Sequence, residues 1–315
     1  MNPVSAIFGA GVALRNAFYD RRWLKVNKLS RPVVSIGNIS VGGSGKTPFV
    51  IALGELLQQR GISFDVLSRG YRRKSRAVAI VDPLGSAEEF GDEPLLIARK
   101  LQVPVVVGAD RYEAGLLAER TFQSQLHLLD DGFQHRGLHR DFDIVMLPGS
   151  DLEDTLLPMG RLRESISSLR RADVLVIECA ATPADFGGAV WRVQRELQLD
   201  HTEKLPAIVF CGVARPRRFF SEVEALLGAR GVVEQVAFPD HHRYRVPDVE
   251  RLLRIKTQSG AACFITTEKD QINLANLAER LQPLTFARLR LQLADPGSAF
   301  EQLLRTLQQR CGLHI

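Results

Sequence analysis

Residues 42–47 read Gly-Gly-Ser-Gly-Lys-Thr and set a lysine and a hydroxyl directly behind a glycine-rich turn. That combination suits phosphate chemistry. Glycines let backbone N–H groups converge on phosphate oxygens, Lys46 is placed to reach the β- and γ-phosphates of a nucleotide, and the Thr47 hydroxyl is placed to ligate Mg²⁺. The flanking residues supply the elements this chemistry needs. Residues 32–48 run PVVSIGNISVGGSGKTP, with a β-branched stretch at Val33–Ile36 before the turn. After it, Phe49, Val50, Leu53, Leu56 and Leu57 recur at helical spacing, and Gly61 is well placed to end that helix. Strand, glycine loop and helix N-terminus together make a phosphate cradle. Ser40 stands where the usual pattern has its first glycine, so the loop is a P-loop variant.

Other residues with chemical potential follow. Leu126–Leu129 reads as an apolar strand that ends in Asp130 and Asp131. A strand-end aspartate holds Mg²⁺ in P-loop enzymes, and although turns favour Asp in any case, the upstream loop gives this pair meaning. Asp92, in GDEP, is placed to cap a helix whose first turn tolerates Pro94. Asp240-His241-His242 brings two histidines together, but neighbouring side chains point apart and a zinc site needs three or four convergent ligands. Arg69, Arg72, Arg73, Lys74 and Arg76 form a cationic stretch, readable as a solvated loop or as a bidentate phosphate-binding surface. Thr266–Asp270 (TTEKD) ends another strand; it fits the edge of a nucleotide site or a plain polar turn, and it lacks the asparagine of a guanine-reading NKxD motif.

The elements that position these residues alternate. Strands are expected at Ser63–Leu67, Val103–Val107, Asp143–Leu147 and Val174–Ile177, with helices at Arg111–Arg120 and near Arg163–Arg171. The fold class is α/β, a P-loop NTPase-like parallel sheet covered on both faces. From about Leu197 the pattern shifts to a second, smaller α/β lobe. Its strands are Pro206–Phe210, Val232–Phe238, Cys263–Thr266 and Thr285–Leu293, and its helices Val249–Ile255 and Phe300–Arg310. The expected division is an N-terminal segment at 1–28, a P-loop core at 29–196 and the smaller lobe at 197–315, joined through the polar stretch Asp200–Lys204.

A chain of 315 residues has ample length for such a core, and a net charge of +5 with pI near 9.2 favours anionic partners. Cys179, Cys211, Cys263 and Cys311 form no CxxC pair, which points to reduced thiols rather than a zinc or disulfide framework. No apolar run is long enough for a spanning helix. Residues 5–18, SAIFGAGVALRNAF, carry one charge, Arg15, and are followed by Arg21, Arg22, Trp23, Lys25 and Lys28. A signal peptide has the opposite order of charge and apolar stretch. An interfacial helix, with its cations on anionic headgroups, and a helix packed on the protein's own core both fit.

The strings GNISVGGSGKTP, LSRGYRR, GDEP, DDGFQH, PMGRLRE, FPDHHRY and TTEKDQINL, in this order from Gly37 to Leu274, resemble the tetraacyldisaccharide 4′-kinase family. The resemblance implies a two-lobed P-loop kinase with a membrane-associating N-terminal helix. It implies transfer of a phosphate from ATP, with Mg²⁺, to the 4′-hydroxyl of an anionic glycolipid, a tetraacyldisaccharide 1-phosphate, at the cytoplasmic face of the inner membrane. Carried over by motif, Gly42, Gly43, Ser44, Gly45, Lys46 and Thr47 face the ATP phosphates. Thr47, Asp131, Gln134 and Glu164 fall near the metal, and Asp92 pairs with His241. Arg72, Arg73 and Arg163 are the expected substrate-binding cations. No obligate protein partner is implied, and the arginine stretch lacks the interleaved aromatics that favour nucleic acid. Phosphoryl transfer has a loose transition state, so a carboxylate–histidine pair suffices to take the sugar proton late. A nucleotide-switched, membrane-associated ATPase that binds a partner is the alternative, and it has no need of a sugar-directed base.

Overall fold

Short β-branched and aliphatic runs, buried on both faces, form the strands, and longer amphipathic stretches wrap them. The computed structural model describes residues 3–178, 182–183, 186–200, 205–228 and 230–312; Cys179 and residues 201–204 of the expected linker lie outside these. The first half begins with α1 (Pro3–Asp20), β1 (Val33–Asn38), α2 (Lys46–Gln59), β2 (Phe64–Ser68), β3 (Ala79–Ile80), α3 (Ala87–Phe90) and α4 (Asp92–Leu101). It continues with β4 (Val105–Val107), α5 (Arg111–Thr121), β5 (Leu126–Asp130), β6 (Phe142–Met146) and β7 (Val174–Ile177). Every residue of β1, β2, β5 and β6 is buried, because α2 and α4 cover one face of the sheet and α5 the other.

The second half follows β8 (Ala189–Leu199) with β9 (Ala207–Cys211), α6 (Pro216–Leu227), β10 (Val232–Ala237) and α7 (Val246–Ser259). It closes with β11 (Cys263–Thr267), α8 (Glu268–Leu274), β12 (Leu284–Leu293) and α9 (Pro296–Cys311). Strand order across the sheet is β3-β4-β2-β5-β1-β6-β7-β8-β12-β11-β9-β10. β8 is shared. Its first residues pair in parallel with β7, from Val174↔Ala189 to Ile177↔Arg192, and the rest pair antiparallel with β12, from Val193↔Leu293 to Leu199↔Ala287. β12 in turn starts parallel to β11, at Phe264↔Leu284. The antiparallel ribbon therefore reverses strand direction between the halves and turns the carboxyl ends of both parallel segments toward each other. Ligands of open α/β sheets bind at such ends.

Two local expectations are corrected. Residues 166–171 form a 3-10 turn rather than an α-helix, because the Ser168 hydroxyl donates to the Ser165 carbonyl and competes with helical bonding. Asp92 is the first residue of α4 and not its cap: Gly91, at φ 91°, holds that position, and the Asp92 carboxylate is left for other partners. α1 lies on the surface with Ser5 as its one buried residue. It is tied down by Ser5 Oγ donating to the Leu156 carbonyl (3.0 Å), by Asn16 donating to Glu164 (2.7 Å), and by Gly9, where a Cβ would meet Leu156 at 2.7 Å.

Candidate active site

The loop between β1 and α2 turns through Gly42, Gly43 and Gly45 at φ 68°, 58° and 83°, a left-handed path that side chains resist. Lys46 opens α2, and its Nζ lies 3.1 Å from Asn38 Oδ1 and 3.3 Å from Asp131 Oδ1. The strand-end segment after β5 packs onto the loop from beside β1. A Cβ on Gly37 would fall 2.5 Å from that of Phe133, so only glycine admits this approach. Gln134 donates to the Asn38 carbonyl (2.7 Å), and Arg163 Nη1 reaches both Asp131 oxygens (3.2 and 3.1 Å) and Gln134 Oε1 (3.3 Å). Burial would raise Asp131, but Lys46 and Arg163 outweigh it and hold the carboxyl at about 2. Its neighbour Asp130 goes the other way. Burial, with Glu93 and Asp131 nearby, pushes it up to about 7, and among the described residues its Oδ1 has no hydrogen-bond partner.

The second half closes over this loop. Ser40, the departure from the usual motif, donates to the fully buried Asp151, which also accepts from Arg161 and Arg215 (3.1 Å each). Arg215 precedes α6, and its side chain runs against Gly43. Ser40 thus anchors the P-loop to a carboxylate instead of supplying flexibility.

Across the cleft, His241 Nδ1 lies 2.8 and 3.0 Å from the two oxygens of Asp92. Asp92 is 5% exposed and accepts also from Asn273 Nδ2 (3.1 Å) and the Glu93 backbone N–H (2.9 Å). Burial alone would raise its pKa; Lys269, His241 and Asn273 together bring it well below the usual carboxylate range. His241 itself is held at φ 56° with its N–H on the Gly212 carbonyl (3.1 Å). Positive φ at a non-glycine residue is costly, and Arg72, Asp131 and His241 all show it at this site.

The remaining expected residues divide. Arg72 donates to the carbonyls of Asp240 (2.7 Å) and His241 (3.3 Å), and Arg73 to Ala77 (2.5 Å), so the cationic loop braces the histidine segment. Glu164 is paired with Arg171 (2.5 Å) and Asn16, while its Oε1 has no partner among the described residues. His242 bonds Asp248 (3.0 Å) and stacks on Phe238, away from any metal cluster. Sequence reading missed Lys269, whose Nζ sits 3.3 Å from His241 Nε2, and Asp151. Lys269 lies within TTEKD, where the strand-end position was the available signal.

The family model described as tetraacyldisaccharide-1-P 4'-kinase (LpxK) matches residues 1–308. The chain belongs to this family. It is 49% identical over 325 residues to the tetraacyldisaccharide 4'-kinase of Koribacter versatilis, covering 99% of this chain and 100% of that one. The enzyme of the same name from Aquifex aeolicus is 40% identical over 291 residues, covering 86% and 88%. The crystal structure of the Aquifex LpxK in complex with ATP superposes with a TM-score of 0.78 at 36% identity, covering 96% of this chain and 97% of that one. As a tetraacyldisaccharide 4'-kinase family member, the chain is an ATP-dependent phosphotransferase of lipid A biosynthesis. Its donor set suits the Mg²⁺ expected of such a kinase: the loop supplies backbone N–H groups and Thr47, and the strand end supplies oxygen ligands, with the Asp130 Oδ1 unpartnered. Among the described residues no three His, Cys, Asp or Glu side chains form a metal cage.

Proposed function

We propose that the site transfers the γ-phosphate of ATP to the 4′-hydroxyl of a tetraacyldisaccharide 1-phosphate, with Asp92 and His241 as the acceptor-activating pair. The observation that carries this reading is the 2.8 Å contact between His241 and Asp92 across the cleft that also holds the P-loop. Gly42 to Thr47 cradle the phosphates, and Lys46 neutralises charge on the transferred group. Thr47, Asp131 and Gln134 would hold Mg²⁺, which would supply neutralisation of phosphate charge, and Glu164 would join them through its Oε1, unpartnered among the described residues. His241 takes the hydroxyl proton at Nε2 while Asp92 stabilises the cation that forms. Arg163 orders Asp131, and Arg72 offers its remaining N–H groups to the anionic acceptor. The P-loop core and the smaller lobe act as the two walls of the cleft, while α9, expected in the smaller lobe, packs on the first core through Phe300, Leu303 and Leu307.

The membrane side of the reading rests on α1. Ile7, Leu14 and, just beyond the helix, Trp23 are 74%, 57% and 66% exposed, with Arg21, Arg22 and Lys25 following. Among the described residues no helix is long and apolar enough to cross a bilayer. The contact in this reading is interfacial, on the cytoplasmic face where the ATP is. The test is incubation with Mg-ATP and a tetraacyl disaccharide 1-phosphate in detergent micelles. Radiolabel from [γ-³²P]ATP should appear in the lipid; hydrolysis of ATP with unlabelled lipid would favour the nucleotide switch.

A further inference from the structure

The Asp92–His241 pair has a third member. Lys269 lies near the start of α8, and its Nζ approaches His241 Nε2 (3.3 Å), Glu93 Oε1 (3.2 Å), Asp92 Oδ2 (3.8 Å) and Asp240 Oδ1 (3.9 Å). The next residue fixes this direction. Asp270 is fully buried and accepts from the Gly212 N–H (2.9 Å), the Tyr244 hydroxyl (2.8 Å) and Thr267 Oγ1 (2.6 Å), which locks the first turn of α8 against the loop that carries His241.

An ammonium has donors and no acceptor, so Nε2 of His241 meets it as the lone-pair nitrogen. The ring proton then sits on Nδ1, facing the Asp92 carboxylate. We propose that Lys269 is the positioning residue that holds His241 in this tautomer, with the base lone pair on the side of the acceptor. The proposal rests on the reading of Asp92 and His241 as the acceptor-activating pair.

The charges around the imidazole come from three elements. Asp92 faces it from α4, Asp240 from its own loop, and Lys269 from α8, with Glu93 of α4 paired to Lys269; the Tyr71 ring packs edge-on with its centroid 5.2 Å from that of the imidazole, and Arg72 holds the backbone carbonyl. Asp92, Glu93 and Asp240 are acidic, and Lys269 sits among them as a cation. Lys269 is the cation that offsets them, and Glu93 and Asp240 give its ammonium somewhere to stay when a hydroxyl takes its place at Nε2. The lysine is itself held charged: burial works against it, but Glu93, Asp92 and Asp240 push its pKa up.

The experiment is the pH dependence of kcat/KM for the glycolipid acceptor in micelles, for wild type, K269M, K269R and H241Q. Loss of a cation in contact with a base raises its pKa by about 1 unit or more, so the acid limb of K269M should move upward by that amount while K269R retains the wild-type position and KM for ATP is unchanged. An unmoved acid limb in K269M would overturn the proposal. H241Q separates the two readings: if it keeps the wild-type acid limb, the base assignment fails, whereas if it loses the limb and K269M does not shift it, only the role of Lys269 fails. Should K269M not fold, ¹⁵N NMR of wild type decides the matter, with the Nδ1–H tautomer expected at neutral pH and the Nε2–H tautomer or an imidazolium overturning it.

Discussion

Replacing Asp92 by asparagine keeps the shape of the side chain and removes its charge. The carboxylate now accepts from His241, Asn273 and the Glu93 N–H, and it is held ionised because Lys269 and its hydrogen bonds overcome the effect of burial. An amide cannot serve all three. If its NH₂ turns toward Nδ1, the imidazole must carry its proton on Nε2 and has no lone pair for the acceptor. If its oxygen stays there, the tautomer survives but the cation formed on His241 loses its counter-charge. Either outcome removes general base catalysis, which contributes about 10²–10⁴-fold, or roughly 3–5 kcal/mol of transition-state stabilisation. The P-loop contacts are untouched, so the loss should fall on kcat. Steady-state kinetics at saturating glycolipid should show kcat reduced by at least about 100-fold with KM for ATP within about twofold of wild type. Activity within about tenfold of wild type, or a loss explained by KM for ATP, would refute the reasoning.

Three further outcomes are expected. Asp151→Asn should destabilise the protein by about 3 kcal/mol, the low end for a broken buried ion pair because Arg161 and Arg215 keep some solvent access, and a urea titration reads it. His127 is fully buried beside Asp65 (2.7 Å) and near Glu119 (3.5 Å); burial lowers its pKa, but these carboxylates outweigh it and the net shift is upward. A raised folded pKa contributes stability that is complete below the unfolded value of about 6.5 and is lost as pH rises through the folded value, so wild type should lose stability relative to His127→Gln in that window; a constant difference from pH 6 upward would refute it. Ile7→Glu with Leu14→Glu, both exposed on one stripe of α1, should weaken binding to anionic vesicles by about 100-fold or more while ATP-dependent turnover of micellar substrate persists, as sedimentation with liposomes would show.

The first half of the fold was legible because its strands are apolar runs buried on both faces and its helices show an apolar stripe. The glycine loop was legible for a different reason: glycines at positive φ leave a mark in the sequence wherever a lysine and threonine follow. The ribbon was not. In β8, Trp191, Val193, Leu197 and Leu199 alternate with Arg192, Gln194, Glu196 and Gln198, a half-exposed strand pattern broken at Arg195, and the change in character at Leu197 drew the expected lobe boundary inside this strand, near its end. Lys269 was illegible because its role depends on three partners from two other elements, Glu93 and Asp92 on α4 and His241 after β10. Charged residues at a strand end look alike in sequence whether they face solvent or a histidine. Ser40 shows the converse case. Its departure from the P-loop pattern is visible at once, but its partner Asp151 lies far along the chain and nothing local announces it.

The reversal at the β8–β12 ribbon explains why these distant residues meet. In a sheet with one strand direction throughout, the loops after β10 and β11 and the P-loop after β1 would be ranged along a single edge, separated by the strands between. Because β12 runs against β8 and pairs with the part of it that extends past β7, the carboxyl ends of the two parallel segments face each other, and loops from opposite ends of the strand order converge. Each half then contributes what the other lacks. The first brings phosphate-binding backbone, Lys46, Asp131 and the Asp92 carboxylate; the second brings the imidazole and the ammonium that faces it. The contacts that join the halves at this point, Arg72 on the Asp240 and His241 carbonyls and Lys100 with Glu268, flank the same pair. Aligning the proposed base and aligning the halves are therefore one structural requirement. A change that loosens the ribbon should lower kcat more than nucleotide affinity, since the two members of the proposed pair come from different halves, whereas the P-loop is built in the first and only packed against by Ala214, Arg215 and Leu291 of the second.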